Sequence, residues 1–418
     1  MNQNIKTRIE QIGRGEVPEG YKKVKTGVIP EKWSFEKLGK YLVQYHEVTT
    51  QNNQYPVLTS SRRGIFLQSE YYNSEVASDD NTGYNIVPRG YFTYRHMSDD
   101  EIFHFNINTL VDNGIVSTLY PVFTTTDKIN DYFLQTILNE GRDFHRYAVL
   151  QKQGGSRTYM YFEKLKALSL PIPPIEEQER IAGILGTQDK LIALKEKRIV
   201  EKKQQKKYLM QQLLTGKKRL PGVIGEWKKT KAGNFISFIS GYAFSSKFFN
   251  EEGMGKRLIR NRDLKTDEQR IYTTEDCIKD YCVKQGDILV GMDGEFCLCR
   301  WSSEDALLNQ RVGKIIVKDN ISSGFIFYSL SYPLLKAEEK TGATTVKHLS
   351  NKVVLGIEID YPTDIEEQQA IADILSQADK EIELLQKDLE EEKVKKKALM
   401  QLLLTGIVRT EKLKGEII

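Results

Sequence analysis

No stretch of this sequence approaches the roughly 18 uninterrupted apolar residues that a membrane span needs. Met1 to Gly20 hold no apolar core of a secretion signal, so a cytoplasmic chain is expected. Cysteine is scarce. Cys277, Cys282, Cys297 and Cys299 all fall in one stretch, with spacings C-x4-C and C-x-C rather than the short paired knuckles of a structural zinc site. The expectation is reduced thiols on strands, with Cys297 and Cys299 on one face and Leu298 between them. Charge of one sign is also in short supply: 61 basic against 57 acidic residues leaves +4, too little by itself to announce a polyanionic partner.

Catalytic signatures are missing as well. There is no G-x-x-x-x-G-K-[ST] phosphate loop, no G-x-G-x-x-G after a strand, no G-x-S-x-G and no H-E-x-x-H. Asp293 and Glu295 sit in the segment GMDGEF without a lysine at nuclease spacing, and that segment reads as a glycine turn between strands. His96, His104 and His145 share one half of the chain but show no ligand pattern. These absences shift weight toward binding.

What is there is a repeat. IEEQERIAGIL…LMQQLLTG, from Ile175 to Gly216, aligns without a gap with IEEQQAIADIL…LMQLLLTG, from Ile365 to Gly406, at a constant offset of 190 and with about 24 of 42 positions identical. Each copy reads as one long helix. Pro173, Pro174 and Pro362 precede the helix starts, paired glutamates follow, and Gly216 and Gly406 fit left-handed C-caps. In the second copy Ile371, Leu375, Ala378, Ile382, Leu385 and Leu389 alternate spacings of three and four, which is a coiled-coil seam. The first-copy seam, Ile181, Leu185, Gln188, Ile192 and Ile199, weakens at Lys195. A helix of that length spans roughly 60 Å and needs a partner for its stripe; the other copy is the obvious one, paired antiparallel. The basic runs Lys202–Lys207 and Lys395–Lys397 read as solvated faces.

The blocks before the helices open alike, GVIPEKW at Gly27 and GVIGEW at Gly222. Both are strand-rich, with short helices expected near Asp131–Asn139 and Gly324–Glu339, so the class is α+β. The expected order is an extension (1–20), a first globular domain (21–174), a first spacer helix (175–216), a second domain (217–364), a second helix (365–406) and a tail (407–418), giving a pseudo-twofold molecule with the domains held apart by the helix pair. Basic, amide and hydroxyl residues cluster at the expected loops. In the first block they are Ser60, Ser61, Arg62 and Arg63; Tyr94, Arg95 and His96; Ser156 and Arg157. In the second they are Ser245, Ser246 and Lys247; Arg260, Asn261 and Arg262; Asn309, Gln310 and Arg311. Arginine can bond two acceptors of guanine, asparagine and glutamine two edges of adenine, and lysine and hydroxyls the phosphates.

These residues carry a family resemblance. PIPPIEEQERIAGIL and IEEQQAIADIL, each ending in an LLTG run, resemble the repeat helices of the specificity subunit of type I restriction–modification enzymes. VLTSSRRGI and GGSRTYMYFEKLKALSLPIPP in the first block, and LIRNRDL, GDILVGMDGEF and LLNQRVGKI in the second, resemble that family's target-recognition domains. The resemblance covers nearly the whole chain beyond residues 1–20. It implies a subunit without catalysis that reads a split, asymmetric duplex site, one half per domain, with the paired helices as a ruler. It also implies docking of two modification subunits that methylate adenine at N6, and of restriction subunits. S-adenosylmethionine, ATP and Mg would then belong to those partners, and no cofactor to this chain. The second helix start departs from the pattern, with DYPTDIEEQ in place of PIPPIEEQ. Two other classes fit the residues less well: a single-chain DNA-modifying enzyme, for which the repeats leave no room, and a coiled-coil scaffold that binds proteins only.

The ruler makes a prediction. Four residues inserted just before Leu213 add about 6 Å of helix, nearly restore the seam and should lengthen the unread gap between half-sites. Two inserted residues rotate the seam by about 200° and should cripple assembly. The readout is the methylated motif of each variant; an unchanged gap in an active four-residue variant would show that the helices do not measure the DNA.

Overall fold

The computed structural model describes residues 3–71, 80–152, 156–223, 225–266, 269–276, 281–294, 296–340 and 348–410. The repeat copies form two long helices, α1 (Ile175–Leu213) and α2 (Ile365–Leu404). The chain divides into two compact units, Met1–Lys195 with Leu389–Ile418 and Glu196–Asp388, and the division falls inside both helices. Each unit therefore takes the start of one long helix and the end of the other, running antiparallel.

In the first unit, a four-stranded antiparallel sheet orders Asn106–Ile107, Phe92–Thr93, Val122–Thr125 and Leu42–Tyr45. Buried aromatics pack about it, Phe92 stacked on Phe123 at 4.9 Å and Tyr94 tilted against Phe105 at 4.5 Å. Helix Asp131–Glu140 buries Phe133, Leu134 and Ile137 into the same core, which also takes Ile181 and Leu185 of α1 and Leu403 and Leu404 of α2. Residues of the N-terminal extension form helix Gln3–Gly13. Ile5 packs on this core, Arg8 donates to the Ile407 carbonyl, and the Tyr21 hydroxyl donates to the Gly406 carbonyl at 2.7 Å.

The second unit holds a four-stranded sheet of Ile236–Ser240, Val312–Val317, Ile288–Gly291 and Leu298–Arg300, and a five-stranded one. In the latter, Lys256–Ile259 runs parallel to Ala306–Leu308, with Ile259 opposite Leu308. Helix Ser323–Lys340, the end of α1 with Leu213, and the start of α2 with Ile371 and Leu375 close the main core. Pro333 lies within that helix.

The same joint closes each unit. Glu177, in the first turn of α1, is 1% exposed and takes both prongs of Arg409 at 2.8 and 2.9 Å, while the Trp33 indole donates to it at 2.9 Å. Glu367 of α2 is paired in the same way by Arg219, at 2.7 and 2.8 Å, with the Trp227 indole at 3.3 Å. The next residue, glutamine, bonds back to the proline carbonyl before its helix: Gln178 to Pro173 at 2.9 Å and Gln368 to Pro362 at 2.8 Å. Each glutamine oxygen then accepts an amide that begins the globular helix, Asn130 at 2.9 Å and Ser322 at 2.8 Å. A tyrosine of that globular helix bonds a long-helix aspartate, Tyr132 to Asp189 and Tyr328 to Asp379. Gly216 and Gly406 take φ of 66° and 70°, and a Cβ on either would strike Trp227 or Pro30. Glycine is required there twice over, by backbone and by space. The divergent second helix start is capped instead by Asp364, whose carboxylate accepts the Glu366 amide at 2.9 Å.

The seam is mixed. Ile181, Leu185, Ile199, Ile371, Leu375, Ile382 and Leu389 are buried. Where the first copy weakens, Glu392 accepts from Gln188 and pairs with Lys195 at 3.4 Å. Lys202 pairs with Glu381 at 2.7 Å, Lys206 with Asp379 and Lys396 with Asp189. The basic runs are thus half engaged with the partner helix rather than only solvated.

Burial alone would raise the Glu177 carboxyl, but hydrogen bonds from Arg409 and Trp33 hold it below its ordinary 4.5. That stabilisation is present above the unfolded value and is lost as pH falls through the lower folded one. Arg409→Ala strands a buried carboxylate and should cost the first unit about 3–5 kcal/mol. Hydrogen exchange should show protection lost in the first unit and kept in the second, and equal loss in both would refute the joint.

Candidate nucleic-acid interface

In the first unit the candidate residues come from segments far apart in sequence. Arg62 and Arg63 form the exposed turn of the hairpin Leu58–Ser61/Gly64–Leu67. Arg63 lies over the Tyr71 ring at 4.8 Å. Arg62 reaches Asp100 with one nitrogen at 2.6 Å from both carboxylate oxygens. Strand Met97–Ser98 pairs with Thr158–Tyr159, which brings Arg157 beside the same loop, where it bonds Asp99 at 2.9 Å. His96 is anchored to the Leu119 carbonyl at 2.6 Å and stacks on the exposed Tyr161 ring at 5.1 Å, with Tyr159 stacked beyond at 5.7 Å. Arg95 and Ser156 are exposed.

Two candidates belong to the interior instead. Tyr94 is fully buried, and its hydroxyl donates to the Met160 carbonyl at 2.9 Å. Burial pushes the phenol far up. Its neighbours are core aromatics, so it holds the floor of the site rather than touching a ligand. Ser60 is also buried, accepting from Asn106 at 2.8 Å. Ser61 staples the turn, donating to the Gly64 carbonyl and accepting the Arg63 amide, both at 3.1 Å. Alternation placed hydroxyls near a hairpin tip without separating the inward face from the outward one.

In the second unit an open cleft of about 760 Å³ is lined by Arg260, Asn261, Arg262, Asn309, Gln310 and Arg311. The parallel pairing of Lys256–Ile259 with Ala306–Leu308 explains the convergence. Both strands run out at the same edge, so the turns that follow them lie side by side. Arg260 is clamped by Asp263 at 3.0 and 3.1 Å and bonds the Gln269 carbonyl at 2.8 Å, which makes it a brace. Arg262 is exposed with a 3.4 Å contact to Gln269, and Gln310 is exposed. Arg311 and His348 both reach Asp293, at 3.2 and 2.7 Å. Asn261 donates to the Asp293 carbonyl, while its own buried oxygen has no hydrogen-bond partner among the described residues. Ser245, Ser246 and Lys247 are not among the cleft's lining residues; Ser245 spends its amide on Glu275 at 2.7 Å.

The segment GMDGEF lies between the paired strands Ile288–Gly291 and Leu298–Arg300, with Gly294 at φ 75° and Asp293 contributing to the cleft. Glu295 and Cys277 lie outside the described residues. Cys282, Cys297 and Cys299 are free thiols. Cys297 and Cys299 pack on one cluster while Leu298 packs on another, as alternation requires. Burial raises both thiols, Cys299 to about 12, so they are protonated at neutral pH. Among the described residues no group of three or more His, Cys, Asp or Glu could hold a metal ion. No helix among them is long and apolar enough to cross a membrane.

The sequence model of the type I restriction modification DNA specificity domain matches twice, over residues 23–204 and 224–393. The chain belongs to the type I DNA specificity family. A type I restriction enzyme MjaX specificity subunit from Methanocaldococcus jannaschii is 28% identical across 94% of this chain and 97% of its own length. The MjaVIII specificity subunit of the same organism is 32% identical over 60% of this chain and 64% of its own, and the Escherichia coli EcoBI specificity subunit 34% over 40% and 35%. Among solved structures, the type I S subunit from M. genitalium aligns with a TM-score of 0.54 at 14% identity, covering 89% of this chain and 96% of that one. A chain from work on assembly and conformational transition of a type I system gives 0.56 at 16%, covering 91% and 99%. At such identity these two show the fold alone. DNA recognition within a type I system is the role of this specificity subunit, and modification and restriction subunits are the partners that go with the family.

The geometry separates exposed candidates from braces. Arg262→Ala should cost about 1–3 kcal/mol of DNA affinity and relax one base position if that arginine reads a base edge, and lower affinity equally for all sequences if it meets a phosphate. Tyr94→Phe should cost about 1–3 kcal/mol of stability, by leaving the Met160 carbonyl unpaired, with no change of target. Competition binding and denaturant unfolding check the pair, and a target change in Tyr94→Phe would return that residue to the surface.

Proposed function

We propose that each unit reads one half of a bipartite, asymmetric duplex site and that this chain performs no catalysis itself. The observation that carries the reading is the contrast between frame and loops. The Glu–Arg–Trp joint, the glutamine bridge and the tyrosine–aspartate bond recur in both units. The candidate reading surfaces do not recur. One is a hairpin tip beside stacked rings, and the other an arginine- and amide-lined cleft. One frame with two unlike surfaces suits two unlike half-sites. S-adenosylmethionine, ATP and Mg then belong to the partner subunits.

Two copies of one modification subunit fit the same frame. Leu194 and Leu384 are equivalent, 65% and 68% exposed, and each follows a lysine four residues earlier, Lys190 and Lys380. Among neighbouring exposed positions Lys197 and Lys387 are kept, while others have diverged, Arg198 against Asp388 and Val200 against Glu390. A leucine kept twice in solvent among changing neighbours supports a protein partner met twice.

The test exchanges residues 34–154 for the corresponding block of a relative, in the full complex. The methylated motif should change in one half and stay intact in the other. Both halves changing together would refute the division of labour. Methyl transfer by the purified chain alone would refute the non-catalytic reading.

A further inference from the structure

In the first unit three basic side chains beside the candidate surface are already engaged. Arg62 at the hairpin turn, Lys152 just beyond helix Arg142–Leu150 and Arg157 before strand Thr158–Tyr159 come from three separate segments. They pair with three consecutive acids. Arg62 meets Asp100 at 2.6 Å, Arg157 meets Asp99 at 2.9 Å, and Lys152 meets Glu101. The acidic loop is held in place. The Ser98 hydroxyl donates to Asp100 at 2.9 Å, and Glu101 adopts φ of 59°, a left-handed conformation that a side chain takes only when its surroundings hold it there. The Arg62 guanidinium, then Ser98, hold the Asp100 carboxyl down to about 2, so it stays ionised wherever DNA binds.

Sequence-independent binding comes from cations replacing counterions on phosphates, and a loose complex can use any cation that is free. A cation already paired to a carboxylate has nothing to gain from a phosphate until that pair opens. A cognate complex is different, because base edges fix its geometry and a freed cation finds a phosphate only if one happens to lie in reach. An acid opposite a reading surface therefore weakens the wrong complex more than the right one.

We propose that Asp99, Asp100 and Glu101 are specificity determinants of the first unit, holding Arg62, Lys152 and Arg157 off the phosphates of non-target DNA. The proposal rests on the reading that this unit contacts one half-site. The sequence offers no warning of it, since the DDE run looks like an ordinary solvated turn.

The test compares the wild-type complex with Asp99→Asn/Asp100→Asn/Glu101→Gln on a short mixed-sequence duplex lacking the target, across a salt series. Affinity for that duplex should rise about tenfold or more, and the slope of log affinity against log salt should steepen by about 2–3 as three cations become available. Cognate affinity should rise less, so the ratio between the two falls. Asp99→Asn alone, which leaves the Asp100 anchor untouched, should steepen the slope by about 1. In a background of Arg62→Gln/Lys152→Gln/Arg157→Gln the acid changes should add nothing, which identifies the released cations as the source. Non-target affinity that falls or stays level in the acid variants overturns the proposal. If the block exchange of residues 34–154 leaves the target unchanged, it is the half-site reading that fails instead.

Discussion

A carboxylate buried at the first turn of each long helix governs this architecture. Glu177 and Glu367 sit where the helix dipole favours negative charge, but they are removed from water and must be answered by a full positive charge. The answer comes from the segment just past the end of the other long helix, Arg409 or Arg219, while the tryptophan that opens each globular block supplies a further donor. One acid thus ties together three pieces of chain: a helix start, a helix end and a globular block. Everything above it, from the glutamine bridge to the sheet, is oriented by that knot. The identical offset of the two acids and the two arginines shows that the repeated element is the knot as much as the helix.

The seam between the helices follows a different logic. A purely apolar stripe would be more adhesive and less particular about register. Here Gln188, Lys195 and Glu392 interrupt it, and lysine–acid pairs flank it on both sides of the interruption. Polar residues in a helix interface cost adhesion and penalise every misaligned pairing, since a slip would strand them. A chain whose two helices are alike in sequence has particular need of such a penalty, because like helices can also pair with themselves.

Much of this was legible beforehand because it is periodic or repeated. The helices, their seam and their glycine caps follow from spacing, and the short helices after the sheets from composition. Arg219 and Arg409 share the offset but lie three residues beyond the glycines that close the repeat, where no periodic pattern marks them. The globular partners of the frame escaped for another reason. Tyr132 and Tyr328, or Trp33 and Trp227, do not share the helices' offset, since the blocks between differ in length. In the cleft of the second unit six residues singled out by their chemistry converge, but only the parallel pairing of two strands explains it, and pairing direction is not written locally. Tyr94 belongs to the interior but has no readable face in the sequence: it lies just past a strand only two residues long, Phe92–Thr93, too short for alternation to tell inside from outside.

The knot in the first unit joins residues 232 positions apart, Glu177 and Arg409. The second unit is built from one continuous run, 196 to 388. On the ribosome the two therefore mature in inverted order. The unit whose chain emerges first waits, its Glu177 unanswered and its core open, until the segment carrying Met400, Leu403 and Arg409 has cleared the exit tunnel. The later-emerging unit draws its own residues from no farther along the chain than 388. A nascent chain of this protein thus passes through a stage in which the half made second is finished and the half made first is not, and it is then that an exposed apolar surface most needs shelter.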